Sequence, residues 1–255
     1  MPAQTLSSRL FGQISARRRE RYRRRDELAA VDPAEDPRTY ALELSTKEFV
    51  WGTTQALSFA LFRTYAVPSI GELLYETSQF TDEVQKRYDD TALLLSAPVE
   101  HGFEPGGEGH AAIRRINQMH GRYDISNDDM LYVLATFVVC PPRWINAYEW
   151  RSLTQREIDG VTNYYRTLGK YMGIKDIPET FAEFETLMDS YERENFAFRE
   201  GSRAVADSTL ELLTTFMPYK LLPASLVKRL ARALMDEPLL DAFGYPHPTL
   251  SLIHI

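Results

Sequence analysis

A chain of 255 residues with 44% apolar and 12% aromatic content can fill one hydrophobic core and sits at the upper edge of what a single core serves. The lone cysteine, Cys140, excludes an internal disulfide framework and every multi-cysteine metal pattern. The net charge of -7 is unevenly spread, because residues 1–25 hold eight arginines against Glu20, a net +7, so the rest of the chain holds -14.

These numbers divide the chain into a basic N-terminal arm over 1–44, one helical domain over 45–249 and a short tail over 250–255, whose Leu250-Ser-Leu-Ile-His-Ile255 continues no helical pattern and reads as non-native. The arm suits docking on the acidic body or peripheral contact with a membrane surface. The only aromatics of its basic stretch, residues 1–25, are Phe11 and Tyr22 and no groove-reading motif accompanies it, so no nucleic-acid partner is expected. It has no apolar core of the kind a secretory signal needs. Phe49 to Phe62 and Met130 to Pro142, the most apolar stretches, are too short and too polar to span a bilayer. A cytoplasmic protein, with peripheral contact to a membrane as the alternative, is the expectation.

In chain order, helices are predicted over about 8–30, 46–64 and 69–77. Thr81 with Asp82 and Glu83 opens the next, which Pro98 and Gly102 bring to an end before a Gly-rich connection and a helix over about His110 to His120. Ser126, followed by three polar residues, caps an apolar helix to about Val139, which Pro141 and Pro142 must stop or kink. Thr154-Gln-Arg-Glu157 and Thr180-Phe-Ala-Glu183 are capping boxes, and Gly173 closes the first of their helices. Two more helices fall at about 203–216 and 224–235. Hairpin signals are missing, so the predicted fold is all-α, one bundle of about eight to ten helices.

Imidazole is the commonest metal ligand and general base, so the histidines come first. None lies in His-Glu-x-x-His. His101, His110 and His120 are spaced by nine and ten residues, a pattern diagnostic of nothing. Gly107-Glu-Gly-His-Ala-Ala112 nominally fits a dinucleotide fingerprint but follows no strand, so it reads as a helix connection. His120 shares a helical stripe with Ile113, Ile116 and Asn117 and points inward. Its position alone fits a satisfied core histidine, or one at a helix C-terminus, as well as it fits a ligand. On the preceding helix, Arg87, Asp90 and Thr91 project from one face, which a plain surface ion pair would also explain.

Lys86-Arg-Tyr-Asp-Asp-Thr91, Ile113 through Tyr123, Asn127 through Phe137 and Pro142-Arg-Trp144 together resemble the MpaB and rubber-oxygenase (latex-clearing protein) family, over roughly residues 45–220 and most closely its fungal branch. That resemblance implies a helical fold around a non-covalent b-type haem, dioxygen as co-substrate, and oxidative cleavage of a carbon–carbon double bond in a small apolar, isoprenoid or lipid-like substrate. It implies His120 as the proximal iron ligand, with Arg87 and Thr91 carrying over from the family's distal motif, Thr91 standing 29 residues before His120. Asp90 stands where the latex enzyme has lysine, which leaves an open or water-bound sixth position. By the same resemblance Glu72 and Glu76 are weaker candidates for a base.

The residues agree with such a cofactor, which needs one basic ligand, apolar walls and a cation for its propionates. Ile113 and Ile116 would be walls, Arg87 or Arg122 the propionate partner, Asn117 a hydrogen-bond partner tuning the ligand, and Thr136 a further pocket residue. Thr91 would donate to dioxygen, and Asp90, if buried, would act as an acid or base. Two other readings stay open: a lipid- or prenyl-binding protein without turnover, and a metal enzyme built on His101, His110 and His120.

Overall fold

The computed structural model describes residues 20–78 and 83–247. Among these there are twelve α-helices and no strand, so the predicted class holds while the helix count exceeds the expected eight to ten. In chain order they are α1 (20–28), α2 (Pro37–Glu43), α3 (Val50–Thr64), α4 (Pro68–Glu76), α5 (Val84–His101), α6 (Glu108–His120), α7 (Asn127–Tyr148), α8 (Gln155–Tyr171), α9 (Phe181–Asn195), α10 (Glu200–Leu213), α11 (Ala224–Ala233) and α12 (Glu237–Phe243). The expected cap at Thr81 and Asp82, residues 8–19 of the first predicted helix and the tail over 250–255 lie outside the described residues.

The helix α7 is the axis of the molecule. Ser126 Oγ accepts from the Asp129 backbone N–H at 3.0 Å, the predicted N-cap. From there the helix runs through Pro141 and Pro142 to Tyr148, nine residues past its expected end at Val139. The two prolines remove the N–H groups that would have reached the Phe137 and Val138 carbonyls. Burial outweighs that loss, because Val138, Val139, Pro141, Pro142 and Ile145 are all held in the interior between α3, α8 and α9. Pro98 behaves likewise: α5 continues past it to His101 and ends only at Gly102, where φ is +76°.

Both predicted capping boxes form, at Thr154–Glu157 on α8 and Thr180–Glu183 on α9. Gly173, with φ +75°, follows the last turn of α8 as expected. The short α12 was not anticipated. Asp236 caps it through the Leu239 N–H at 3.1 Å, and Leu239, Leu240 and Phe243 anchor it against Phe62 and Val205.

Residues 20–44, on the arm side of the expected boundary at 44, contribute to the interior. Leu28, Tyr40 and Leu44 form a cluster with Phe49, Ile145 and Val161. Tyr40 donates its hydroxyl to the Leu28 and Val31 carbonyls at 2.7 and 2.8 Å, and Arg24 pairs with Glu43 at 3.2 Å. A Cβ on Gly160 would fall 2.3 Å from the Tyr40 ring, so only glycine lets α2 lie this close to α8.

Two buried polar networks fix helix positions. Glu192 on α9 accepts from Arg63 of α3 and from the Tyr132 hydroxyl of α7 at 3.0 Å, while Arg63 also reaches Asp236 at the start of α12 at 2.7 Å. Asp129 of α7 accepts from Ser69 of α4 and Tyr191 of α9, both at 2.8 Å. Charges taken out of water are tolerated only when paired in this way.

Candidate functional site

Antiparallel packing of α5 against α6 sets the geometry. At one end His101 meets Glu108 at 3.2 Å, and Gly109 lies so near Gly102 that a Cβ there would stand 1.9 Å from the Gly102 carbonyl oxygen. Gly109, in the nominal dinucleotide pattern, is thus inside a helix and serves this close approach. At the other end His120, in the last turn of α6, comes under the charge of Arg87 in the first turn of α5.

His120 is half-buried, and its Nδ1 is buried with no hydrogen-bond partner. Burial, and secondarily the Arg87 guanidinium, hold its pKa below the ordinary histidine value. The imidazole is therefore neutral at physiological pH, the form that binds a metal. A buried, unsatisfied nitrogen carries a desolvation penalty that a ligand would relieve. Ile113 and Ile116 are buried beside it on the same stripe, as the periodicity predicts. In residue chemistry this corner fits a haem: one neutral imidazole, apolar neighbours and a cation.

A second group of buried polar atoms lies on the seam of α4 and α10. Glu72 Oε1, packed against Gly201, and Ser202 Oγ are both buried without a partner. Glu76, the other upstream glutamate, is exposed. Of the two base candidates only Glu72 has a carboxylate oxygen held away from water.

A cavity of about 290 Å³ lies between α3, α5, α7, α8 and the turn after α2. That turn is a π-helix over Leu44–Glu48, closed by the Phe49 N–H donating to the Leu44 carbonyl at 2.8 Å, and it presents Ser45 and Thr46 to the cavity. The walls are otherwise mainly apolar, with Leu57, Leu61, Leu95, Phe137, Ile145 and Leu168 among them. The volume is at the lower end of small-molecule sites.

Of the sequence candidates, Thr91 lines this cavity. Its hydroxyl donates to the Arg87 carbonyl at 2.8 Å, so the proton expected for dioxygen is already engaged. Asp90 is exposed, and the burial that would have made it an acid or base is not met. Asn117 donates its amide to the Tyr171 carbonyl at 3.0 Å rather than serving His120. Arg122 is exposed in the turn after α6. Thr136 is fully buried within α7, donates to Val133 at 2.8 Å and does not line the cavity; its neighbour Phe137 does. The α5–α6 corner and the cavity are adjoining features linked along α5, with Arg87 at one and Thr91 at the other.

His101, His110 and His120 do not converge. His110 and His120 stand at opposite ends of one helix, about 15 Å apart along its axis, and His110 packs edge-on against Tyr171. No group of three ligating side chains forms among the described residues. Sequence reasoning missed Thr53 on α3 and Tyr164 on α8, which line the cavity with buried, unpartnered hydroxyls; neither sits in a motif that would mark it.

An all-helical interior with an apolar cavity along α5, and a half-buried neutral imidazole at the α5–α6 corner, defines a helical protein with room for an apolar ligand and a separate basic donor atom. Over residues 48–252 the chain matches the family described as ER-bound oxygenase mpaB/B'/Rubber oxygenase, catalytic domain, and it belongs to that family. It is 30% identical over 225 residues to the ER-bound oxygenase mpaB' of Penicillium brevicompactum, covering 81% of this chain and 52% of that protein. It is also 30% identical over 221 residues to the ER-bound oxygenase mpaB of Penicillium roqueforti (strain FM164), covering 80% and 73%. The chain thus spans about half the length of the first relative and nearly three quarters of the second.

Proposed function

We propose that this protein is a haem b-dependent oxygenase that uses dioxygen to cleave a carbon–carbon double bond in an apolar, isoprenoid or lipid-like substrate. The observation that carries this reading is the His120 imidazole, neutral, with a buried nitrogen left without a partner in the last turn of α6. Family membership supports the same reaction class. When bound, the haem would supply the iron that activates dioxygen and accepts the redox change.

The chain's own residues would do the rest. His120 would hold the iron through a neutral imidazole. Arg87, whose charge already reaches that ring, would balance a propionate. The cavity walls would keep water from the reacting double bond, with Thr91 where the cavity meets the Arg87 end of α5. Glu72, whose buried and unpartnered Oε1 lies on the α4–α10 seam and not in the cavity wall, would act as a base only on a group that reaches that seam. No helix among the described residues is long and apolar enough to cross a membrane; the relatives are described as ER-bound, and contact of this chain with a membrane would be peripheral, through the basic N-terminal arm.

Reconstitution with hemin should give a Soret band that His120→Ala loses while its far-ultraviolet circular dichroism is retained. A Soret band unchanged by that substitution would remove His120 from the role and the reading with it. A second reading, a lipid- or prenyl-binding protein without turnover, draws on the engaged Thr91 hydroxyl and on Asp90 in place of lysine. It predicts ligand binding with no oxygen consumption at an oxygen electrode.

A further inference from the structure

Residues 212–235 carry four cations, Lys220, Lys228, Arg229 and Arg232, and no carboxylate, although the whole chain has a net charge of -7. Two of the four are engaged: Lys228 pairs with Glu211, and the Arg232 guanidinium lies over the Tyr245 ring at 5.2 Å. Lys220 and Arg229 are exposed and pair with no carboxylate among the described residues. The connection between α10 and α11 contains one 3-10 turn, Tyr219–Leu221, and leaves large apolar side chains in water: Leu221 is 71% exposed, Met217 60% and Leu222 44%.

Two contacts seat this connection on the rest of the molecule. The Tyr219 hydroxyl donates to Gln55 Oε1 of α3 at 3.0 Å, and the Phe216 ring lies 5.1 Å from that of Tyr88 on α5. Gln55 stands one turn after Trp51 on the same helical stripe, and Trp51 is 56% exposed. Trp51, Met217 and the two leucines therefore belong to one stretch of surface, with Lys220 among them and Arg229 in the second turn of α11. Single exposed apolar residues need no explanation, but a group of them mixed with cations does. Aliphatic side chains beside an indole, a phenol and lysine are the composition of a segment that lies in a bilayer interface. A second copy of the chain would bring the same cations face to face across a two-fold axis, whereas an anionic lipid surface answers both the apolar and the charged groups.

We propose that the α10–α11 connection, together with Trp51, docks on an anionic lipid bilayer, the leucines and the indole entering the interface while Lys220 and Arg229 meet the headgroups. This adds a second surface to the peripheral contact through the N-terminal arm, and it rests on neither haem nor turnover. Phe216 packs against Tyr88, which lines the cavity, so the docked face adjoins the Tyr88 end of the apolar interior.

Leu221→Cys labelled with the environment-sensitive dye NBD tests this on the full chain, because burial keeps the Cys140 thiol unreactive. The label should be dim and red-shifted in buffer, then brighten and shift to the blue on vesicles of equal parts phosphatidylcholine and phosphatidylserine. Replacing Lys220 and Arg229 together with Gln should weaken cosedimentation with those vesicles about thirtyfold at low salt. Leu221→Asp with Leu222→Asp should weaken it about tenfold or more, and side chains this exposed can be exchanged with little change in melting temperature. The proposal is overturned if the chain does not bind the vesicles, or binds them while the label at 221 stays unshifted, which would assign the contact to the arm alone. It is equally overturned if the label is already blue before lipid is added, which would mean that protein covers this surface, or if either pair of substitutions binds as the wild type does. The Soret experiment at His120 succeeds or fails independently of all these results.

Discussion

Buried charge makes some single residues far more costly to change than others. Arg151, with its side chain only 6% exposed, holds Glu157 through two hydrogen bonds at 2.6 and 2.9 Å and Glu48 through one at 2.9 Å. Glu157 also closes the capping box of α8. Glu157→Ala therefore removes a cap and leaves the Arg151 guanidinium with Glu48 as its one carboxylate partner, and should cost about 2–3 kcal/mol in urea denaturation. An unchanged midpoint would mean that Arg151 finds solvent. Cys140 behaves oppositely, as a group kept inert: burial pushes its thiol up to about 12. Ellman's reagent at pH 8 should leave the native protein unmodified and titrate one thiol only after denaturation.

At the scale of elements, the seam between α5 and α6 is the most sensitive. Replacing Gly109 with leucine drives carbon into the Gly102 carbonyl and the Pro98 backbone, neither of which can turn aside. The two helices must part, at a cost of about 3 kcal/mol, or roughly 10 °C in melting temperature; differential scanning calorimetry would read it. Local signals of this kind separate what the sequence discloses from what it conceals. Ser126, Thr154 and Thr180 are legible because a cap involves only residues three apart. Pro98, Pro141 and Pro142 are misleading because their rule is local, whereas the burial that carries α5 and α7 through them is tertiary. His120 and Arg87 lie close to one another in the structure, as their pattern suggests. Asn117 and Thr136 could not be judged from periodicity, since each is engaged by a carbonyl that only the folded chain brings or keeps in reach. The cavity was invisible for a similar reason: its lining comes from six separate stretches of chain between Ala41 and Leu168.

For the molecule as a whole, stability should depend on pH through its paired carboxylates. The Arg143 guanidinium holds Asp189 below its ordinary value, and the Glu179 and Thr180 backbone N–H groups do the same for Glu183. A carboxyl with a depressed folded-state pKa adds stability that is fully present above the unfolded value, about 4, and is lost as pH falls through the folded one. The urea midpoint should thus drop below about pH 4, and less steeply in Arg143→Met, where Asp189 has lost its partner. An equally steep drop in that variant would show that other groups govern the acid limb.

The pinning of α6 at Gly109 also makes that helix a lever. Its fulcrum lies at one end, where backbone meets backbone at Gly102, and the imidazole proposed to hold the iron lies eleven residues away at the other, about 16 Å along the axis. A tilt of about 4° at the fulcrum swings the tip by about 1 Å, a misplacement that can slow a chemical step about a hundredfold. Substitutions between residues 103 and 107, which spare the Gly102–Gly109 contact, should therefore tune the reaction proposed at His120 without touching it, and the rate would shift before the melting temperature does.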